Sequence, residues 1–132
     1  MSISQPLLSR YHQLAQSASV RVSPLCLGTM TLGTAAKGRY GECSKEAAFE
    51  ILDYSVSQGG NFLDTANAYR AEQSEILLGE WLTSRGNRDH MVIATKYTTG
   101  YQGHRKDRIQ ANYGGNGTKS MRVSLEASLR KL

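Results

Sequence analysis

Two short apolar runs, separated by one helix-length segment, restrict this chain to very few folds. The first, Asn61-Phe62-Leu63-Asp64-Thr65-Ala66, carries an acid and is followed by Tyr69. The second, Met91-Val92-Ile93-Ala94-Thr95-Lys96-Tyr97, carries a lysine near its end. Runs this continuous in apolar residues suit strands buried on both faces, as in a parallel sheet. Between them a helix is expected to begin at Ser74, with Glu75 in its first turn and Ile76, Leu77, Leu78, Trp81 and Leu82 as its apolar residues, and to end at Gly86. Before the first run, Ser44 stands where an N-cap belongs and Glu46 complements the helix start. Ala48, Ile51, Leu52, Ser55 and Val56 share a face, and Gly59-Gly60 stops the helix. Upstream again, Leu25-Cys26-Leu27-Gly28-Thr29 reads as a buried strand entering a glycine turn. The order is strand, helix, strand, helix, strand, with short turns, which predicts parallel α/β architecture.

The flanks are less regular. Residues 1–19 have no clear period and read as a flexible N-terminal arm or, around Leu7 to Ala18, a weak helix; the alternation before Pro24 suits a short strand. From Thr98 to Gly117 the chain is polar and glycine-rich, a loop long enough to imply a functional or mobile segment. Met121, Leu125, Ser128, Leu129 and Leu132 then fall at helical spacing, with Thr118 or Ser120 as cap. At 132 residues the chain fits one domain able to bury an ordinary core.

Net charge is +5, but the basic residues are dispersed, with one modest cluster at Arg105, Lys106 and Arg108. No nucleic-acid motif accompanies them, so nucleic acid is not expected as a partner; a basic rim that attracts a phosphorylated small molecule accounts for the charge equally well. Cys26 and Cys43 match no metal spacing and form no disulfide framework, and His12, His90 and His104 suggest no metal, so none is expected. Without an apolar signal or spanning segment near Met1, the expectation is a reduced, cytoplasmic protein with no membrane partner. Gly114-Gly115-Asn116-Gly117 lacks the spacing of a phosphate loop and reads as a flexible lead-in.

Neighbouring parallel strands lie about 4.8 Å apart, so Asp64, Tyr69 and Lys96 can converge at one end of the sheet. Each has an ordinary reading: Asp64 caps a turn, Tyr69 packs in a loop, Lys96 ends a strand in solvent, and Gly28 is a plain turn glycine. The chemical reading is sharper. A phenol titrating near 10 is a poor acid at neutral pH unless a cation sits beside it; a lysine supplies the cation and an aspartate holds the lysine. Such a tyrosine can protonate a carbonyl oxygen while hydride arrives from a nicotinamide.

These residues resemble the aldo-keto reductases, and within them the fungal aryl-alcohol dehydrogenase and norsolorinic acid reductase-like branch. The resemblance runs from about Val22 to Leu132. It rests on Ser23-Pro24-Leu25-Cys26-Leu27-Gly28-Thr29-Met30, on Gln58 through Tyr69, and on Gly79-Glu80-Trp81-Leu82. Arg85-Gly86-Asn87-Arg88-Asp89, Ala94-Thr95-Lys96-Tyr97 and Ser124 through Leu129 complete it. It implies an incomplete (β/α)8 TIM barrel of about the first three β/α units in residues 20–132, since a whole barrel takes about 250 residues. It also implies NADP as cofactor and interconversion of small aldehydes or ketones with alcohols. Tyr69 is then the catalytic acid/base with Lys96 and Asp64 as its supports, and Gly28, Thr29 and Met30, with Asp64, lie by the nicotinamide-ribose end of the cofactor. The family's catalytic histidine and most of its cofactor site are expected beyond these residues. The resemblance therefore leaves two expectations: a truncated oxidoreductase, weakly active or inactive alone, that is part of a longer product or assembles with a complementary chain, or a non-catalytic remnant or interaction module docking on a full-length relative.

Overall fold

The computed structural model describes residues 6–132. In chain order its elements are β1 (His12–Ala15), β2 (Ala18–Val22), β3 (Leu27–Gly28), the short helix α1 (Lys37–Tyr40), α2 (Lys45–Ser57), β4 (Phe62–Asp64), α3 (Gln73–Arg85), β5 (Val92–Ala94) and α4 (Thr118–Leu129). The expected alternation is present. β3, β4 and β5 form one parallel sheet with β4 central, pairing Gly28 with Asp64 and Asp64 with Ala94. Backbone bonds continue the ladder past the strand ends: Thr29 N–H donates to the Asp64 carbonyl (2.9 Å), Thr65 to Ala94 (2.8 Å) and Asn67 to Lys96 (3.1 Å). This in-register extension carries Asp64, Tyr69 and Lys96 to the same end of the sheet.

The core lies between the sheet and α2 and α3, built from Leu32, Ala48, Leu52, Leu63, Leu78, Trp81, Leu82 and Met91. Ser44 caps α2 as expected, its Oγ accepting from the Ala47 N–H at 3.2 Å, and Gly59 follows the helix with φ +88°. Ile51, expected on the buried face, is 44% exposed while Leu52 is fully buried. Both neighbour Ala48, at i+3 and i+4, but successive helical residues are about 100° apart, so Leu52 faces the core while Ile51 lies at the rim of the buried stripe. Gly86 ends α3 in the left-handed conformation. Ser74 lies inside α3, one residue past its start, and its buried hydroxyl donates to the Thr29 carbonyl (2.8 Å) and meets the Thr29 and Thr65 hydroxyls, knitting the helix to the strand ends.

Three segments depart from the sequence expectation. A β-hairpin, β1 with β2, stands where a weak helix was expected between Leu7 and Ala18; residues 1–5 of the expected arm lie outside the described residues. The hairpin's second strand is the one the alternation before Pro24 predicts; its first is exposed throughout, so it needs no apolar period and leaves none in the sequence. The hairpin is pinned by the Tyr11 hydroxyl, which donates to the Gly59 carbonyl at 2.9 Å. The strand expected from Leu25 pairs only at Leu27 and Gly28. Before them, Pro24 has no N–H to give a ladder, and Ser23 Oγ turns back to donate to the Leu25 carbonyl. In α4 the apolar face is not the packed one: Met121, Leu125 and Leu129 are exposed, while Ser120, Ser124, Ala127 and Ser128 are buried. Gly117 is its N-cap, and Ser120 Oγ instead donates to the Gly115 and Gly117 carbonyls. The 98–117 loop has no helix or strand, yet it buries Tyr101 and Gln102 and stacks Tyr101 edge-on against Tyr113 at 5.6 Å. Among the described residues no helix is long and apolar enough to cross a membrane.

The chain's one tryptophan reports on the packing of α2 against α3. Trp81 is fully buried and its indole N–H donates to Asp53 Oδ1 at 2.8 Å; Arg85 grips both oxygens of the same carboxylate. The Arg85 hydrogen bonds, then that from Trp81, lower the Asp53 pKa from 3.8 to about 2. A carboxylate depressed in the folded state stabilises it above its unfolded pKa and loses that contribution as pH falls through the folded value. Acid titration followed by Trp81 fluorescence should therefore show stability declining between pH 3.8 and about 2. Asp53→Asn should be less stable at neutral pH and lack this part of the acid dependence; an unchanged acid profile would contradict the assignment.

Candidate active site

Three polar side chains expected at one end of the sheet meet there. Lys96 lies two residues past Ala94, the partner of Asp64, and its Nζ turns back across the strand ends. It donates to both Asp64 carboxylate oxygens, at 2.7 Å each, and to the Thr65 carbonyl at 2.6 Å. The same ammonium is 5.1 Å from the centre of the Tyr69 ring. Burial opposes the charge on Lys96, but the Asp64 carboxylate and then the Tyr69 phenol outweigh it, and its pKa lies above the ordinary lysine value. Lys96 is therefore a fixed cation at neutral pH, aimed by Asp64 and placed beside a phenol.

The phenol opens on a cavity of about 330 Å³ lined by Tyr40, Asn67, Tyr69, Lys96, Tyr97 and Thr99 among others. Larger grooves exist, one of them along α3 between Cys43, Lys45 and Ile76, but that groove holds none of the three residues. In the smaller cavity a cation, Lys96, and a hydroxyl, that of Tyr69, share a wall with the aromatic rings of Tyr40 and Tyr97.

Gly28, Thr29 and Met30 fall at the neighbouring strand end and divide by exposure. Gly28 is exposed, and a Cβ there would meet nothing within 4 Å, so the backbone beside Asp64 is open to a ligand. Met30 is 42% exposed. Thr29 is fully buried, and its hydroxyl donates to the Asp64 carbonyl and meets Ser74, so its side chain is committed to the framework. An open glycine next to an anchored carboxylate fits one end of a dinucleotide; the described residues offer no comparable cradle for a whole one.

Sequence reasoning missed several neighbours. Asn67 is 1% exposed, and neither polar atom of its amide has a hydrogen-bond partner among the described residues. Buried unpaired amides are costly and concentrate where a ligand or water completes them. Tyr40 reaches the cavity from the end of α1, about thirty residues earlier, and Arg70, next to Tyr69, is 3% exposed. Neither carries a local sequence signal, because each owes its place to contacts far apart in the chain.

The model of the aldo/keto reductase family matches residues 24–132. Norsolorinic acid reductase B of Aspergillus parasiticus is 66% identical over all of this chain, which covers 35% of that relative. An aryl-alcohol dehydrogenase of Pestalotiopsis microspora is 51% identical over 96% of the chain, covering 33% of its own length. Among solved structures, a putative aldo-keto reductase from Pseudomonas aeruginosa superposes with TM-score 0.70 at 28% identity, over 98% of this chain and 44% of that one. The chain thus spans about a third of the length of the curated relatives it matches, and its parallel β/α units make an incomplete (β/α)8 barrel. With the family model running through both strands that carry Asp64 and Lys96, the chain belongs to the aldo/keto reductase family.

Proposed function

We propose that this segment supplies the proton-transfer half of an NADP-dependent oxidoreductase that interconverts aldehydes or ketones with alcohols in the cytoplasm. The observation that carries the reading is the Lys96 ammonium, clamped by both oxygens of Asp64 and set 5.1 Å from the Tyr69 ring. In reduction Tyr69 gives its phenolic proton to the substrate oxygen, Lys96 offsets the charge left on the phenolate, and Asp64 keeps Lys96 in place. Solvent then returns a proton to Tyr69, and the reverse sequence oxidises the alcohol. When bound, NADPH would supply the hydride that the carbonyl carbon takes up. Gly28 and Met30, with Asp64, would hold its nicotinamide-ribose end, and Thr29 would keep that turn in shape through its bond to the Asp64 carbonyl. Tyr40, Tyr97 and Tyr69 line the cavity with aromatic surface, which suits an aromatic carbonyl compound, as do the names of the relatives.

A second reading is favoured by a different observation. β5 is an edge strand, and on α4 Met121, Leu125 and Leu129 are exposed. An unpaired parallel edge next to an apolar helix face is a template for another chain. In this reading the segment docks on a complementary chain or a full-length relative and contributes no chemistry itself.

Both readings are tested with a fusion in which residues 1–132 replace the matching third of norsolorinic acid reductase B. NADPH binding is followed by fluorescence and turnover with a benzaldehyde. The catalytic reading expects saturable binding and reduction; a folded fusion that binds NADPH but reduces nothing overturns it in favour of docking alone.

A further inference from the structure

Directly after Tyr69 the backbone takes a turn that few sequences tolerate. Arg70, Ala71 and Glu72 all have left-handed φ values, +53°, +53° and +75°, and none is glycine. Consecutive left-handed residues bearing a Cβ are strained and persist only when their surroundings fix them. Here both ends are fixed. At one end the buried Arg70 guanidinium donates to four backbone carbonyls of one loop: Ala35 (2.8 Å) and Gly41 (3.0 Å) through Nη1, and Thr31 (2.9 Å) and Tyr40 (3.1 Å) through Nη2. It also lies 5.1 Å from the Tyr40 ring centre. At the other end Glu72 accepts from Gln102 Nε2 (3.0 Å) and from Lys131 (3.0 Å), with His104 Nε2 at 3.5 Å. Arg70 thus grips the 31–41 loop, and Glu72 grips the 98–117 loop. Tyr40 from the first loop and Thr99 from the second line the cavity on which Tyr69 opens.

We propose that the Arg70-Ala71-Glu72 turn is a two-armed brace whose end residues, Arg70 and Glu72, position the two loops that wall the substrate cavity. Neither touches the reacting atoms; they act through Tyr40 and through the loop that follows Tyr97. The consequence for substrate rests on the proposed carbonyl reduction, but the brace does not. A loosened wall should weaken substrate binding and so raise KM, while the Asp64, Lys96 and Tyr69 contacts, and with them kcat, are kept.

Limited trypsin digestion of the 132-residue chain, read by mass spectrometry, separates the two arms, because each loop carries its own cleavage sites. Arg70→Met should speed cleavage after Lys37 and Arg39 by about tenfold or more, the factor expected from losing a charge-assisted hydrogen bond, and leave cleavage after Arg105, Lys106 and Arg108 near its original rate. Glu72→Ala should do the reverse. Circular dichroism and Trp81 fluorescence establish that the variants are folded. Arg70→Lys, which keeps the charge with fewer donors, should be partly protected, and it carries the test if Arg70→Met does not fold. Cleavage after Lys37 and Arg39 at the original rate in a folded Arg70 variant would overturn the brace. In the fusion, Arg70→Lys should raise KM for the benzaldehyde with kcat preserved; a fall in kcat at unchanged KM would also overturn it. A fusion without reductase activity, alongside a positive digestion result, would sink the catalytic reading and leave the brace standing.

Discussion

In the fusion, Tyr69→Phe is expected to lower kcat for carbonyl reduction by about 10²- to 10⁴-fold, the range for losing a positioned general acid. The phenylalanine keeps the ring that flanks Lys96 and removes only the hydroxyl, so packing around the cavity is preserved. Lys96 is held by Asp64 and by the Thr65 carbonyl, none of which depends on Tyr69. NADPH affinity should therefore change little, and the loss should fall on kcat and kcat/KM together, the signature of an interaction made only in the transition state. Lys96→Met should also be severely impaired, because without the ammonium the phenolate formed on proton transfer has no counter-charge. Turnover of Tyr69→Phe at the original rate would remove Tyr69 from the acid/base role and leave the Asp64 and Lys96 pair as a structural ion pair.

The second large effect is on stability. Lys131 is anchored between two carboxylates at the start of α3: its Nζ donates to Glu72 Oε1 at 3.0 Å and to Glu75 Oε2 at 2.8 Å. Glu75 is fully buried, and its other oxygen accepts from the Thr95 hydroxyl at 2.7 Å, so the cluster ties the end of the chain to α3 and to the residue next to Lys96. Lys131→Met leaves a buried carboxylate without its cation, and breaking a buried pair in this way costs about 3–5 kcal/mol. Against a typical domain stability of about 5–15 kcal/mol that is a large share. Pairing the change with Glu75→Gln, which retains an acceptor for Thr95, should recover part of the loss, since the uncompensated charge is what costs most. Denaturant unfolding followed by Trp81 fluorescence measures both; Lys131→Met within about 1 kcal/mol of the parent would fall outside that range and show that water, not Lys131, satisfies Glu75. The same junction explains Gly79. It lies beneath the Lys131 backbone, where a Cβ would collide with the Lys131 carbonyl, so Gly79→Ala should also displace the end of the chain.

How much was legible in the sequence follows from how each feature is encoded. β4, β5 and the helix between them were legible because continuous apolar runs, an acid in the first helical turn and a terminal glycine are local signals, and their parallel register alone brings Asp64 and Lys96 together. Of the hairpin only the second strand was legible, from the alternation before Pro24; the first is exposed throughout, so hydrophobic periodicity has nothing to record there. α4 misled for the opposite reason. Its oily residues are periodic, but close approach to the body is made through Ser120, Ser124 and Ala127, whose small size counts for packing and hardly registers as hydrophobic. Within the site, the convergence of Asp64, Tyr69 and Lys96 at one sheet end was readable from the strand spacing, whereas the roles expected of them and of Gly28 came from the family resemblance. Thr29 was readable only as a position, since its hydroxyl serves Ser74 and the Asp64 carbonyl. Arg70 and Tyr40 were hidden because their partnership spans about thirty residues and runs through backbone carbonyls, which any sequence supplies. The unpaired amide of Asn67 is a property of its surroundings and has no counterpart in residue identity.

The measurement that tests the central claim most directly is isotope transfer in the fusion, using NADPH that carries deuterium at its transferable C4 position and a benzaldehyde as acceptor. With residues 1–132 intact, alcohol deuterated at the carbinol carbon should accumulate, and with Tyr69→Phe its initial rate of formation should fall by about 10²- to 10⁴-fold although that variant still binds NADPH. Formation of the deuterated alcohol at the same initial rate by both proteins would contradict the assignment of Asp64, Tyr69 and Lys96 as a proton-transfer centre.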